Sequence, residues 1–313
     1  MVRIVYFGMS GQFSRLPLEA LLAAGHDVRL LVLPALAPAD STRPAYTRLA
    51  PRASVVGRRV LPLAGAHAPA ATTLAVAAEH GIPAIEAARL RAPETLAAVA
   101  ACEPDAICVA CFPRRLPPEL LRLPRLGCLN VHPSLLPANR GPDPLFWTFR
   151  QGDDETGVTV HLMDEGLDSG PILLRRRIAV AEGTTEAELE FACAVSGGEL
   201  LVRALAALTA LTEGSLVPTP QDARQATWHG VPQPEDYTIT PDMAASQAYR
   251  FACGVLRRAQ PLVIAVASTS FRLLAPLGYD AAATLAEPYQ LAGDELWLRC
   301  TPGVLHARVE ADP

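Results

Sequence analysis

Two apolar strand patterns flank one helix pattern at the start of the chain. The strand pattern RIVYFGM is followed by LPLEALLAAG, a helix pattern that stops at Gly25, and then by the strand pattern HDVRLLVLP. This order predicts a βαβ unit, in which the two strands are parallel. Because parallel sheets are covered by helices on both faces, the unit commits the chain to an α/β fold.

The same alternation continues toward residue 211. PAATTLAVAAEHG and PETLAAVAACEPD are helix patterns, AICVACF is a buried strand pattern, and a further strand ends at His132. The segment TTEAELEFACAVSGGELLVRALAALTA opens with a capping box of Thr185 and Glu188, and it predicts a long or broken helix. We therefore expect residues 1–211 to form one domain with a mostly parallel, Rossmann-like sheet covered by helices.

The composition changes after Leu211. Residues 212–232 are rich in Pro, Gly and polar side chains, which is typical of a linker that crosses a surface. Residues 233–313 contain one helix pattern, MAASQAYRFACGVLRRA, followed by alternating runs such as PLVIAVAS and ELWLRC. They predict a second, smaller domain that is mainly β and resembles an open barrel.

Charge and cysteine content limit the classes of function. The chain has 27 Lys and Arg against 32 Asp and Glu, and its net charge of -5 gives no global attraction to nucleic acid or membrane. The seven cysteines are scattered, which favours reduced thiols, and we expect Cys108 and Cys111 to pack in the core. A strand starts almost at once without a charged leader, and no membrane-length apolar run is present, so we expect a cytoplasmic protein without membrane attachment.

Two polar side chains end the strand LGCLNVH. Asn130 and His132 are two residues apart, so they project from the same face of a strand, and Pro133 keeps His132 extended. Asp168 lies in the acidic loop DEGLDSGP, which follows the alternating strand GVTVHLM. Because ligands bind beyond the carboxyl ends of strands in open α/β sheets, we expect the two loops to meet and form a site.

Simpler interpretations of these residues compete with a functional site. An Asn and a His at a strand end often cap turns, but the presence of Asp168 and both loops favours a site. Asp164, Glu165 and Asp168 together suggest a cation site, yet short acidic loops are more often solvated or form helix-capping turns, and no His or Cys is spaced to support zinc at this loop. We therefore expect no metal.

These two stretches also carry a family resemblance. NVHPSLLPANRG followed by GVTVHLMDEGLDSGPI resembles the signature of formyltransferases that use 10-formyltetrahydrofolate, which act on methionyl-tRNA, glycinamide ribonucleotide or amino sugars. The resemblance implies the formyltransferase fold, a folate co-substrate and a catalytic trio of Asn130, His132 and Asp168. It implies a cis bond between Leu136 and Pro137. It also implies folate contacts at Phe112, Arg115, Leu116, Val131, Ser134, Leu135, Leu136, Pro137, Asp164, Glu165 and Gly166.

Formyl transfer explains why such residue types are needed. An amine attacks the formyl carbon, and the resulting tetrahedral intermediate carries a negative oxygen that needs hydrogen-bond donors. The Asn130 amide and a protonated His132 can both donate. The attacking amine must also lose a proton, and His132 with Asp168 beside it can relay that proton or hold the water that does so.

The acceptor stays open at the level of sequence. The length and two-domain layout resemble the methionyl-tRNA enzymes, whereas His161 and the altered second domain, with YTIT from Tyr237, favour a small amine such as an amino sugar or a biosynthetic intermediate. Asn139 stands before Arg140 where family members often have an aromatic residue, which leaves the fit of the acceptor open. A folate-binding hydrolase or a regulatory module is a third hypothesis. A basic segment predicts a patch for tRNA, although a solvated loop explains it equally well. It contains Arg43, Arg48, Arg52, Arg58 and Arg59.

Overall fold

The computed structural model describes residues 1–35, 44–50, 72–210 and 217–311. They form two compact units. Unit 1 comprises Met1–Pro137, Val158–Arg176 and Phe191–Ala226, and unit 2 comprises Ala138–Gly157, Arg177–Glu190 and Thr227–Pro313. The sequence-based division into residues 1–211, 212–232 and 233–313 places its breaks differently and stays a prediction.

An eight-stranded sheet contains the strands of the first 180 residues. Its strands are β1 (Arg3–Gly8), β2 (Asp27–Pro34), β3 (Tyr46–Leu49), β4 (Ala84–Ala87), β5 (Ala106–Ala110), β6 (Cys128–His132), β7 (Glu155–Leu162) and β8 (Ile172–Ala179). Their order across the sheet is β3-β4-β2-β1-β5-β6-β7-β8. The neighbouring pairs β4–β2, β2–β1, β1–β5 and β5–β6 are parallel. The pairs β3–β4 and β6–β7 are antiparallel. The predicted α/β fold with a mostly parallel sheet is confirmed.

Seven α-helices lie within the described ranges. They are α1 (Gln12–Ala23), α2 (Thr73–Glu79), α3 (Pro93–Ala100), α4 (Pro118–Leu121), α5 (Pro144–Gln151), α6 (Glu186–Thr209) and α7 (Ala245–Val255). The predicted stop of α1 is confirmed at Gly25, whose φ of 75° lies in the left-handed region that glycine adopts easily. The predicted capping box is also present, because Glu188 N donates to Thr185 Oγ1 (3.4 Å) and Thr185 N donates to Glu188 Oε2 (2.9 Å).

The central strands of unit 1 are buried on both faces. Every residue of β5 is buried, and Val5 and Phe7 of β1 belong to the same apolar cluster as Ile107 and Val109 of β5. Such continuous burial explains why these strands are apolar runs rather than alternating patterns. Cys108 is buried as predicted, but Cys111 is exposed, because it lies just beyond β5 with a φ of 55°. The prediction that both thiols pack in the core is therefore wrong for Cys111.

Helix α6 packs closely against the sheet of unit 1. A side chain at Gly197 would place its Cβ 2.5 Å from Cγ1 of Val131 on β6, so only glycine allows this approach. Of the helices in the described part of the chain, α6 alone is long and apolar enough to cross a membrane. Its Leu200, Leu201 and Leu205 are nevertheless buried inside the protein, as in the core helix of a globular domain.

Unit 2 contains a six-stranded sheet in the C-terminal part of the chain. Its strands are β9 (Thr238–Ile239), β10 (Val263–Val266), β11 (Thr269–Asp280), β12 (Tyr289–Ala292), β13 (Glu295–Arg299) and β14 (Val304–Ala311). They are ordered β12-β13-β14-β11-β10-β9. Helix α7 supplies apolar residues at helical spacing, Ala248, Phe251, Ala252 and Val255, all fully buried. The expectation of a second, mainly β part is confirmed.

Candidate active site

Side chains of β6 alternate between the two faces of the sheet, and only those on one face reach the site. In the antiparallel pair of β6 and β7, Asn130 lies opposite His161, and His132 lies opposite Thr159. Val131, between them, faces the other way and meets Gly197 of α6. The structure therefore places Asn130 and His132 on one face, as their spacing predicts, whereas the side chain of Val131 points away from them.

A single carboxylate oxygen lies at the centre of this group. Oδ1 of Asp168 is 3.4 Å from Asn130 Nδ2, 3.8 Å from His132 Nδ1 and 3.7 Å from His161 Nε2. The side chain of Asp168 is 11% exposed, so its charge acts on its neighbours with little screening by water. The structure brings together Asn130, His132 and Asp168, and it adds His161 as a fourth member.

His161 is an acceptor in this group. Its Nδ1 lies 2.9 Å from the carbonyl oxygen of Leu162, and because a carbonyl can only accept, Nδ1 carries the hydrogen. In the neutral ring, Nε2 is then unprotonated and accepts from Asn130 Nδ2 at 3.2 Å. Burial lowers the pKa of His161 to about 4, with Asp168 acting in the opposite direction and His132 in the same one. The imidazole is therefore neutral at pH 7.

Sequence reasoning took His161 only as a sign of the acceptor class and missed its place in the site. The available signal was the alternation of GVTVHLM, which puts His161 and Thr159 on the polar face of one strand. The missing information was the antiparallel pairing of β6 with β7, which sets Asn130 directly opposite His161.

The loop after β6 is fixed from the neighbouring strands. Thr159 Oγ1 donates to the carbonyl of Ser134 (2.7 Å) and accepts from the amide of Leu136 (3.1 Å). Arg175 Nη1 donates to the carbonyl of Leu136 (3.1 Å). The bond between Leu136 and Pro137 is cis, which confirms that prediction. Of the residues expected to contact folate here, Leu135 is half-buried, whereas Ser134, Leu136 and Pro137 are buried.

Three further residues expected to contact folate lie after β5 in unit 1. Phe112 is half-buried and meets Phe7 edge to face at 5.2 Å, and Leu116 is buried in the core cluster. Arg115 is exposed and lines a cleft of about 700 Å³ together with residues 88–94.

The acidic loop after β7 is organised by its own side chains. Asp164 Oδ1 accepts from the amide of Gly166 (2.9 Å) and the hydroxyl of Ser169 (2.8 Å). Glu165 lies 3.6 Å from Arg122, and both side chains are exposed. Within residues 1–35, 44–50, 72–210 and 217–311, no three His, Cys, Asp or Glu side chains are grouped to hold a metal ion.

The geometry gives the site both donors and a proton acceptor. Asn130 Nδ2 directs its two hydrogens toward His161 and Asp168, and the contact with Asp168 is the longer one. A developing oxyanion would therefore compete with Asp168 for one Asn130 hydrogen, while the other Asn130 hydrogen stays hydrogen-bonded to His161. Such a group of amide, imidazole and carboxylate can stabilise a negative oxygen and transfer a proton.

Comparisons with known proteins agree with this geometry. Residues 52–205 match the sequence model of a family described as formyl transferase. A methionyl-tRNA formyltransferase of Synechococcus sp. (strain JA-3-3Ab) is 43% identical over 184 residues, which cover 58% of this chain and 54% of that protein. The enzyme of the same name from Anaeromyxobacter dehalogenans (strain 2CP-C) is 39% identical over 216 residues, or 69% and 67% of the two chains. The chain spans about half the length of the first of these curated relatives.

Solved structures share the fold across the whole chain. An N-formyltransferase from Helicobacter canadensis, in complex with folinic acid and dTDP-3-aminofucose, has a TM-score of 0.63 at 12% identity and covers 99% of both chains. A methionyl-tRNA formyltransferase from Clostridium thermocellum has a TM-score of 0.53 at 13% identity, covering 99% of this chain and 100% of that one.

Proposed function

The chain belongs to the formyltransferase family, and from this premise we propose that it transfers a formyl group from 10-formyltetrahydrofolate to a primary amine. The observation that carries the proposal is the convergence of Asn130, His132 and His161 on Oδ1 of Asp168. Asn130, His132 and Asp168 each have a chemical task in this reaction, His161 orients Asn130, and the group is buried enough for hydrogen bonds to act strongly.

The reaction makes one bond and breaks another. The amine nitrogen bonds to the formyl carbon, and the carbonyl electron pair moves onto the oxygen, which accepts hydrogen bonds from Asn130 and His132. When the intermediate collapses, the bond from carbon to N10 of the folate breaks and its electron pair returns to N10. The proton lost by the amine reaches N10 through His132 or a water held by Asp168. The products are the formylated amine and tetrahydrofolate.

The acceptor we propose is the amino group of initiator methionyl-tRNA. This assignment is supported by the curated relatives, which carry the name methionyl-tRNA formyltransferase. Of the predicted basic patch, Arg48 is exposed on β3, and Arg43, Arg52, Arg58 and Arg59 lie outside the described residues. We further propose a cytoplasmic location without membrane attachment, consistent with the burial of the apolar residues of α6.

A small amine is the second candidate acceptor. His161 favours it, because a histidine at this position resembles the small-molecule formyltransferases, and the Helicobacter canadensis N-formyltransferase is in complex with dTDP-3-aminofucose. Hydrolysis of the formyl group uses the same group of side chains with water in place of the amine.

Release of tetrahydrofolate from 10-formyltetrahydrofolate tests the proposal and separates the acceptors. We expect release to depend on charged initiator methionyl-tRNA, with stoichiometric formylation of the methionine. Release that depends instead on a dTDP-amino sugar assigns the small amine, and release without any acceptor assigns hydrolysis. Absence of release under all three conditions, from protein that is folded by circular dichroism, would contradict the proposed function.

Asp168→Asn supplies the matched inactive variant. Asn keeps the shape of the side chain and tolerates the left-handed backbone of this position, so its effect reports the lost negative charge. We expect turnover to fall by about 10² or more, as for loss of a catalytic acid or base. Asp294→Asn, an exposed carboxylate of unit 2, is the control that should leave turnover unchanged.

A further inference from the structure

Asp168 has a left-handed backbone conformation. Its φ of 50° lies in a region that residues with a Cβ rarely adopt, although Asp and Asn enter it several-fold more often than most. The side-chain position of Asp168, and hence its distances to Asn130 and His132, depends on this conformation. Contacts that hold the backbone at this point therefore also hold the carboxylate in place.

Gln221 makes the contacts that do so. Its side-chain nitrogen donates to the carbonyl of Asp168 (2.8 Å) and to the carbonyl of Gly170 (2.7 Å). One amide nitrogen has two hydrogens, so a single side chain bonds two carbonyls on either side of Ser169. Gln221 is half-buried and lies 53 residues after Asp168 in the chain.

The position of Gln221 is set by the strand that follows the acidic loop. Two residues earlier, Thr219 pairs with Ile172 at the start of β8, through two backbone hydrogen bonds of 2.8 Å each. One residue later, Asp222 Oδ1 accepts from the amide of Arg224 (3.0 Å) and starts a short turn. The Gln221 side chain is thus anchored to the same loop and strand that present Asp168.

We propose that Gln221 is a positioning residue of the active site, which sets the geometry of Asp168 through its backbone carbonyl. It does not touch the reacting atoms. Its effect on rate rests on the proposed function, whereas its effect on the loop does not. The specific requirement is for a side-chain donor, because both partners of Gln221 are carbonyl oxygens, which can only accept.

The test compares Gln221→Met with Gln225→Met. Met has a similar length but no donors, and Gln225 is an exposed residue of the same segment, so its variant controls for the substitution itself. We expect kcat of Gln221→Met to fall about 10- to 100-fold, as for a displaced catalytic group, with the KM for 10-formyltetrahydrofolate within about twofold. Gln225→Met should match the wild type.

A double-mutant cycle separates positioning from general loss of structure. If Gln221 acts through Asp168, then Gln221→Met should have little further effect on kcat in an Asp168→Asn background. Full additivity of the two losses would overturn the proposal. Gln221→Glu, which keeps the length but places a carboxylate against the two carbonyls, should reproduce the loss seen with Met.

Hydrogen exchange measured by mass spectrometry gives a readout that needs no turnover. We expect the amides of residues 163–171 to exchange faster in Gln221→Met than in the wild type or in Gln225→Met, while those of β6 stay unchanged. Unchanged exchange in this loop would overturn the proposal even if the enzyme is active. Faster loop exchange in a protein without formyl transfer would support the positioning role and contradict the proposed function instead.

Discussion

At the scale of single residues, the orientation of Asn130 depends on a histidine that is not charged. Its amide nitrogen donates to Nε2 of His161, which is free to accept because Nδ1 donates to the carbonyl of Leu162. If His161 were protonated, Nε2 would carry a hydrogen and the Asn130 contact would become a clash of two donors. Burial, by keeping the imidazole neutral, therefore keeps Asn130 in place.

This burial predicts a pH dependence of stability. The pKa of His161 is about 4 in the folded protein, against 6.5 for an unperturbed histidine. Between these two pH values the unfolded chain binds a proton that the folded protein does not, so the free energy of unfolding decreases as the pH falls from about 7 to 4. At about 1.4 kcal/mol per pKa unit, the loss amounts to about 3 kcal/mol.

His161→Gln should remove this contribution. Urea unfolding at pH 7 and pH 4.5 should show a smaller loss of stability in His161→Gln than in the wild type, because Gln does not titrate. His80→Gln, which changes an exposed histidine, is the control and should retain the wild-type difference. Equal losses in the wild type and His161→Gln would show that His161 is not the group responsible.

At the scale of secondary-structure elements, the site depends on how β6 is held from both sides. On one face of the sheet, Asn130 and His132 lie beside His161 and Thr159 of the neighbouring strand β7. On the other face, Val131 meets Gly197 of α6. The alternation of LGCLNVH predicted the shared face of Asn130 and His132, because that follows from the period of a strand. The partners of these residues could not be predicted, because pairing between distant strands leaves no local signal in the sequence.

The contact between Gly197 and Val131 predicts the cost of a single methyl group. Ala favours a helix over Gly by about 1 kcal/mol, but its Cβ would lie 2.5 Å from Cγ1 of a stiff, buried β-branched residue. Overpacking of this kind costs about 1 to 3 kcal/mol, so it outweighs the gain in helix propensity. We expect Gly197→Ala to lower the free energy of unfolding and to reduce kcat by displacing β6.

Denaturant unfolding and steady-state kinetics check this expectation. Gly278→Ala is the matched control, since a Cβ at Gly278 on β11 meets nothing within 4 Å. The control should differ from the wild type by no more than about 0.5 kcal/mol, the usual range for surface substitutions. A Gly197→Ala protein as stable as the wild type would mean that α6 and β6 can separate without cost.

At the scale of the whole molecule, local patterns predicted the class of fold more fully than the partners of individual residues. The βαβ order, the stop at Gly25 and the Thr185 capping box depend on neighbours in the chain, and each is present. The exposure of Cys111 was missed, because the pattern AICVACF does not show that β5 ends at Ala110. The bond from Gln221 to Asp168 spans 53 residues and had no local signal.

The distribution of charge over the chain bears on the acceptor. The net charge is -5, and in residues 218–313 Asp and Glu outnumber Arg by ten to seven, so general attraction to a polyanion is absent. If the acceptor is a tRNA, a local basic segment must therefore bind it. Residues 43–59 contain five arginines and no Asp or Glu, and Arg48 is exposed there.

If the acceptor is tRNA, Arg58→Ala combined with Arg59→Ala should raise the apparent KM for methionyl-tRNA and leave the KM for 10-formyltetrahydrofolate unchanged. Each phosphate contact contributes about 0.9 to the slope of log K against log salt concentration, so the slope should flatten by about two. Arg272→Ala with Arg308→Ala, two exposed arginines of unit 2, should leave both quantities as in the wild type. If added salt does not weaken the binding of methionyl-tRNA to the wild-type protein, then the protein makes no contacts with the tRNA phosphates. That result would exclude tRNA and leave the small amine as the acceptor.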